Sequence, residues 1–151
     1  STNIHEIDGV IIYRFSSGLF FANAKVLVRD IEDHLKHDTK AVIIDAGAIG
    51  SIDITGADSI ESLYRSLKQK GVKLYITEHI AELNEQLRKL GLGYLIEQGC
   101  VRRTIHIALK DMGINRPYPL EGGVDNEERS ASRKRADNRV QEFVWSFGAE
   151  S

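Results

Sequence analysis

The sequence predicts an α/β fold: a small, mostly parallel β-sheet that begins with a β-hairpin and carries about four packed α-helices. Three observations predict it. Two strand-like runs flank Asp8-Gly9, a glycine turn of the kind that closes a hairpin. Ala41-Val42-Ile43-Ile44 is a short apolar run closing on Asp45, the pattern of a central strand covered on both faces. Beyond it, strand-like and helix-like segments alternate, and such alternation calls for right-handed parallel crossovers.

In chain order, Ile4, Glu6 and Ile7 precede the turn, and Val10 to Phe15 follow it as the second strand. Ala24, Leu27, Val28, Ile31 and Leu35 then mark the inner face of a helix reaching about Lys36, with Asn23 as its expected N-cap. After the Ala41–Asp45 strand, Ile60, Leu63, Tyr64 and Leu67 recur at i, i+3, i+4, i+7, and Gly71 is placed to stop that second helix. Val72 to Thr77 reads as a strand. The period changes from two to 3.6 near Glu78, so Ile80, Leu83, Leu87 and Leu90 give a third helix, ended by Gly91 and Gly93. Tyr94 to Ile96 reads as a short last strand, and Val101, Ile105, Ala108, Leu109 and Met112 line a final helix.

With 151 residues, 42% apolar and 28% charged, the chain has the composition of a soluble globular protein, large enough to bury a core without disulfides or metal. No apolar run approaches the roughly 20 residues of a membrane span. A formal charge of −2 gives no reason to expect nucleic acid as a partner. The single cysteine, Cys100, has no internal disulfide partner, which suits a reducing compartment, and it is expected to be a small buried residue. The chain opens at Ser1, directly on a strand-like pattern and without a signal peptide, as an excised piece of a longer protein would, and equally a chain trimmed for expression. Residues 1–114 are expected to form the domain. Residues 115–151 are expected to form a flexible tail, because Pro117, Pro119, Gly122, Gly123 and dense mixed charge leave little apolar area to offset chain ordering.

The loop from Gly47 to Gly56 lies at the carboxyl edge of the sheet, where open α/β folds meet ligands and partners. Asp45 closing an apolar strand, followed by Ile52-Asp53-Ile54-Thr55-Gly56 opening a helix, resembles the centre of the STAS domain, shared by sulfate transporters and antagonists of anti-sigma factors. Leu19-Phe20-Phe21-Ala22-Asn23-Ala24 is similar to the segment typical of the transporter branch, the SulP anion permeases. The resemblance covers roughly Ile4 to Met112. It implies the STAS fold and a non-catalytic regulatory domain at the cytoplasmic face of a membrane. The transporter concerned would carry sulfate, bicarbonate or a dicarboxylate. The implied partners are the membrane part of that transporter and a cytoplasmic regulatory protein. The alternative is a free-standing antagonist of an anti-sigma factor.

Asp45, Gly47, Gly50, Ser51, Asp53, Thr55 and Gly56 are therefore the candidate regulatory loop. Thr55 has two readings. Its hydroxyl matches the position that a partner kinase modifies in the antagonists, where the first-turn amides favour added negative charge. It also has the chemistry of a helix cap. Asp45 is expected to hold backbone amides of the loop and Asp53 to order its turn. A catalytic carboxylate pair is not supported, because paired acids alone supply neither a convergent site nor tuned acidity. The loop lacks both G-x-x-x-x-G-K-[ST] and G-x-G-x-x-G, so no cofactor is expected and nucleotide binding at the helix N-terminus is a lesser reading.

Phe20-Phe21 reads as core packing at a helix entrance. His34 and His37 have no further ligand at familiar metal spacing and read as solvated. Arg133-Lys134-Arg135, interrupted soon after by Asp137, reads as a solvated cluster rather than a lipid-binding one. The aromatic end, with Phe143, Val144, Trp145 and Phe147, is a candidate docking segment, with folding back onto the domain as an equal reading.

Overall fold

The computed structural model describes residues 4–14, 24–47, 49, 51–78 and 80–115. Chain contacts divide the molecule after Ile114, and the unit Ser1–Ile114 is described below. It is the expected α/β arrangement.

Strands β1 (Ile4–Ile7) and β2 (Val10–Arg14) form the antiparallel hairpin. Asp8 and Gly9 between them both have positive φ, 50° and 84°, as a two-residue turn matched to strand twist requires. Strands β3 (Ala41–Asp45), β4 (Lys73–Thr77) and β5 (Val101–Arg102) add in parallel, so the sheet order is β1-β2-β3-β4-β5. Helices α1 (Ala24–His34), α2 (Ile54–Gln69), α3 (Ile80–Lys89), α4 (Gly93–Glu97) and α5 (Ile105–Asp111) connect or follow them.

Alternation along the strands sorts the side chains to two faces. Ile11, Tyr13, Val42, Ile44, Leu74 and Ile76 join Leu27 and Ile31 of α1, Ile60, Leu63 and Leu67 of α2, and Leu83 and Leu87 of α3 in one core. Ile12, Ile43 and Tyr75 are buried on the other face, where α5 packs against β3, β4 and β5. The Tyr75 hydroxyl there lies 3.7 Å from Met112 Sδ.

Helix α2 ends as its sequence suggests. Gly71 adopts φ 73°, its amide returns to Lys68 O at 3.1 Å, and the amide of buried Val72 returns to Leu67 O at 2.8 Å. That pair of bonds satisfies carbonyls the helix would otherwise leave open. The same two-bond closure recurs at Gly91-Leu92, Gly99-Cys100 and Gly113-Ile114.

Two expectations need correction. Tyr94 to Ile96 is not a strand but the middle of the one-turn helix α4, which Gly93 opens rather than ending α3. The closures at Gly91-Leu92 and Gly99-Cys100 bracket these residues, and Gln98 N–H donates to Tyr94 O at 2.9 Å within them. With those bonds made locally, the segment has no ladder to join. The last strand is instead Val101–Arg102, paired with Ile76 and Thr77, so Val101 does not belong to the final helix. That helix starts after Thr104, whose extended backbone and Oγ1, accepting the Ile107 amide at 3.1 Å, cap it. The described residues therefore hold five helices where about four were expected.

Candidate functional site

Register brings the ends of three parallel strands together at the carboxyl edge, with Arg14 beside Asp45 and Asp45 beside Thr77. Asp45 is engaged through both oxygens. Oδ2 lies 3.1 Å from Arg14 Nε, and Oδ1 accepts the Gly47 amide at 2.8 Å. The expectation that Asp45 holds the loop backbone therefore agrees with the geometry, and its partner Arg14 carried no signal in the sequence. A Cβ built on Gly47 would stand 3.0 Å from Asp45 Oδ1 and 3.6 Å from Glu78 Cβ, so glycine leaves room for both carboxylates.

The loop then crosses to α2. Ile52 is buried, and its amide donates to Gln86 Oε1 of α3. Asp53 follows with an extended backbone (φ −97°, ψ −176°), its carbonyl accepting the first helical bond from Ala57 N at 2.8 Å. Its side-chain Oδ1 accepts the Gly56 amide at 2.8 Å. Asp53 is thus the N-cap, and the cap reading of Thr55 is corrected. A cap must lie outside the helix with non-helical backbone, whereas Thr55 is the second residue inside it. Thr55 is exposed, as are Ser51 and Asp53, while Gly56 is buried. Ile54, between the cap and Thr55, is 70% exposed.

An open groove with a volume of about 600 Å³ runs along α1 and α2, and Thr55 lines it. Lys25 and Arg29 of α1 face it together with Glu32 and Asp58, two cations against two carboxylates, so the groove favours neither sign of ligand. At the α2–α4 contact the Tyr94 hydroxyl donates to Glu61 Oε2 at 2.6 Å. Burial, and then that bond, push the Tyr94 hydroxyl up to about 12.

Among the described residues no group of three or more His, Cys, Asp or Glu is placed to hold a metal. The exposed His34 ring bonds Asp30 O at 2.7 Å through Nδ1. Cys100 is buried, and burial pushes its thiol up, so it is a poor nucleophile. Glu78, read from the sequence only as the place where the period changes, was not among the candidate site residues. It directly follows β4, and its Oε2 accepts the Ile105 amide at 3.1 Å. Gly50, the Phe20-Phe21-Ala22-Asn23 segment, and the tail residues Arg133-Lys134-Arg135, Phe143, Trp145 and Phe147 lie outside the described residues.

The family model described as the STAS domain matches residues 1–108. An Arabidopsis thaliana protein named "Probable sulfate transporter 3.4" is 27% identical over 95 residues, covering 56% of this chain and 14% of its own length. The chain therefore spans only a small part of that relative. The STAS domain of a SulP transporter from Vibrio cholerae superposes with a TM-score of 0.58 at 20% identity, covering 72% of this chain and 88% of that one. An anti-sigma factor antagonist from Mycobacterium paratuberculosis superposes with a TM-score of 0.61 at 18% identity, covering 76% and 94%. At such identities these two likenesses speak to the fold.

Proposed function

The chain belongs to the STAS domain family, and from that premise we propose that it is the regulatory and protein-interaction domain of a SulP-type anion transporter. The transporter would carry sulfate, bicarbonate or a dicarboxylate, and its membrane part is the first proposed partner. No helix among the described residues is long and apolar enough to cross a membrane. The transport path would lie in another part of the proposed transporter. The domain itself would lie at the cytoplasmic face. The observation that carries the regulatory reading is the construction of the α2 entrance. Exposed Ile54 and Thr55 are presented on a backbone held by Asp53, by Asp45 and by Gln86. A rigid support beneath an exposed apolar and hydroxyl-bearing face suits docking, with a partner or a modification shifting the populations of the attached transporter. No residue is assigned a catalytic role.

Exposure of Thr55 favours a second element of this reading, its modification. A phosphate at the second residue of α2 would stand at the positive end of that helix, yet near the Asp53 carboxylate, so it would repel acidic partners and recruit basic ones. The names of the relatives favour the transporter over a free-standing antagonist. The aromatic residues Phe143, Trp145 and Phe147 are proposed as a further docking segment for a cytoplasmic regulatory protein.

The encoding gene tests the central reading. A run of membrane helices in the same reading frame is the expected result, and a frame that begins near Ser1 would remove the transporter. Mass spectrometry of the protein from its native cells tests Thr55, and its constant absence of modification under varied growth would leave it a plain helix residue. Titration with GTP and ATP, with Asp53→Ala and Gly56→Ala alongside, is expected to give no saturable binding in the micromolar range. Capture of the same protein with and without residues 140–151 would dismiss the aromatic segment.

A further inference from the structure

The ends of β2, β3 and β4 bring together one cation, Arg14, and two carboxylates, Asp45 and Glu78. Asp45 spends both oxygens, one on Arg14 Nε and one on the Gly47 amide. Glu78 turns out of β4 with φ 75°, a left-handed backbone that non-glycine residues seldom adopt. Both ends of the residue hold it there: its amide donates to Arg103 O at 3.2 Å and its Oε2 accepts from Ile105 N at 3.1 Å. On its other side it meets the turn after β3, where a Cβ on Gly47 would lie 3.6 Å from Glu78 Cβ and 3.9 Å from its Cγ. Glu78 thus stands between the turn that leads towards α2 and the first turn of α5.

We propose that Glu78, placed beside the Arg14–Asp45 ion pair, forms a proton-operated latch between the Asp45–Gly47 turn and the start of α5. With a proton on Glu78, the two side chains carry one negative charge, which Arg14 balances, and both backbone contacts are kept. Without it, a second negative charge stands in a partly buried place beside an ion pair that is already balanced, and its desolvation and its repulsion by Asp45 work against those contacts. The groups that act on Glu78 come from each element around it. Burial and then the Asp45 charge raise its pKa to about 7, against the opposing pulls of the Ile105 amide, Arg14 and the Thr77 hydroxyl. The proton therefore exchanges near neutral pH, within the range a cell traverses. The strain held at Glu78 suits such a device, since a residue in a sparsely populated conformation is released when its contacts weaken. The latch concerns the folded chain alone and stands or falls apart from the choice of transporter as partner.

The test is an amide NMR titration of the full 151-residue chain between pH 5.5 and 8.5. Gly47 and Ile105 are expected to shift together with a common midpoint within about one unit of 7. Glu78→Gln should abolish that inflection, and Asp45→Asn, which removes the repelling charge and frees Arg14, should lower it by roughly one pH unit. Two amides without an inflection between pH 6 and 8 would overturn the latch. An inflection that persists in Glu78→Gln would do the same by assigning it to a histidine. Should either variant fail to fold, direct carbon detection of the Glu78 carboxyl in the unmutated chain decides the matter: a midpoint near 7 supports the latch and one below 5.5 ends it.

Discussion

Asp53 Oδ1 accepts the Gly56 amide hydrogen at 2.8 Å, which makes Asp53, and not its hydroxyl-bearing neighbour Thr55, the residue that starts α2. Losing such a cap typically costs about 1 kcal/mol. Asp53→Ala should therefore lower the unfolding midpoint by roughly 4 °C, and Asp53→Asn, which keeps the acceptor, should restore most of it. Thermal unfolding followed by circular dichroism measures both, and equal losses in the two variants would contradict the cap.

Thr55→Ala should alter stability by less than about 0.5 kcal/mol, as exposed substitutions away from caps and cores usually do. Denaturant unfolding supplies the value. A loss as large as that of Asp53→Ala would return the capping role to Thr55.

Gly47→Ala should destabilise by about 1–3 kcal/mol, because its new methyl would press on Asp45 Oδ1 from 3.0 Å and on Glu78 behind it. Neutral behaviour in chemical denaturation would show that the turn has more room than its contacts indicate.

Stability should also depend on pH through Glu78. Its folded value, about 7, lies above the ordinary 4.5. Between those two values the folded chain holds the proton more firmly than the unfolded chain does. The favourable contribution is therefore complete below about pH 4.5, declines as pH rises towards 7, and is gone above it, with a ceiling on the order of 3 kcal/mol. Urea unfolding at pH 5.5 and 8 should show a larger loss for the unmutated chain than for Glu78→Gln. Equal losses would remove Glu78 as the source.

Tyr94→Phe deletes the hydroxyl that donates to Glu61 and leaves the ring, which stacks edge-on against Tyr64 with centroids 5.9 Å apart. A cost of about 0.5–1.5 kcal/mol is expected. Glu61→Gln combined with it should cost little more than either alone, since both act on one bond, and additive losses in that cycle would separate the two residues.

Most of the scaffold was legible because its signals are local. Asp8-Gly9 announced the hairpin through turn chemistry, Ala41–Ile44 announced a strand buried on both faces, and Ile60, Leu63 and Leu67 announced a helix by their period. The segment 94–102 was misread for the same reason. Tyr94-Leu95-Ile96 has strand-like composition, and a five-residue helix is too short to display a period. Two residues of β5 show no alternation at all. Thr104, three residues ahead of Ile107, was the available clue to where α5 begins. At the candidate site, Asp45 and Asp53 could be found because each bonds within three residues of itself. Arg14 and Gln86 could not, because they bond to it across 31 and 34 residues of sequence, nor could Glu78, whose bond to Ile105 spans 27.

The sheet order has a consequence for how such a chain comes into being on the ribosome. Each strand lies beside the one made just before it, so every newly emerged strand finds its neighbour already waiting and closes only one short crossover. Ile43 and Tyr75 must wait longer, since the segment that covers their side of the sheet, α5, follows all five strands in sequence. Until about residue 114 leaves the exit tunnel, the nascent domain exposes a greasy flank that a chaperone would recognise.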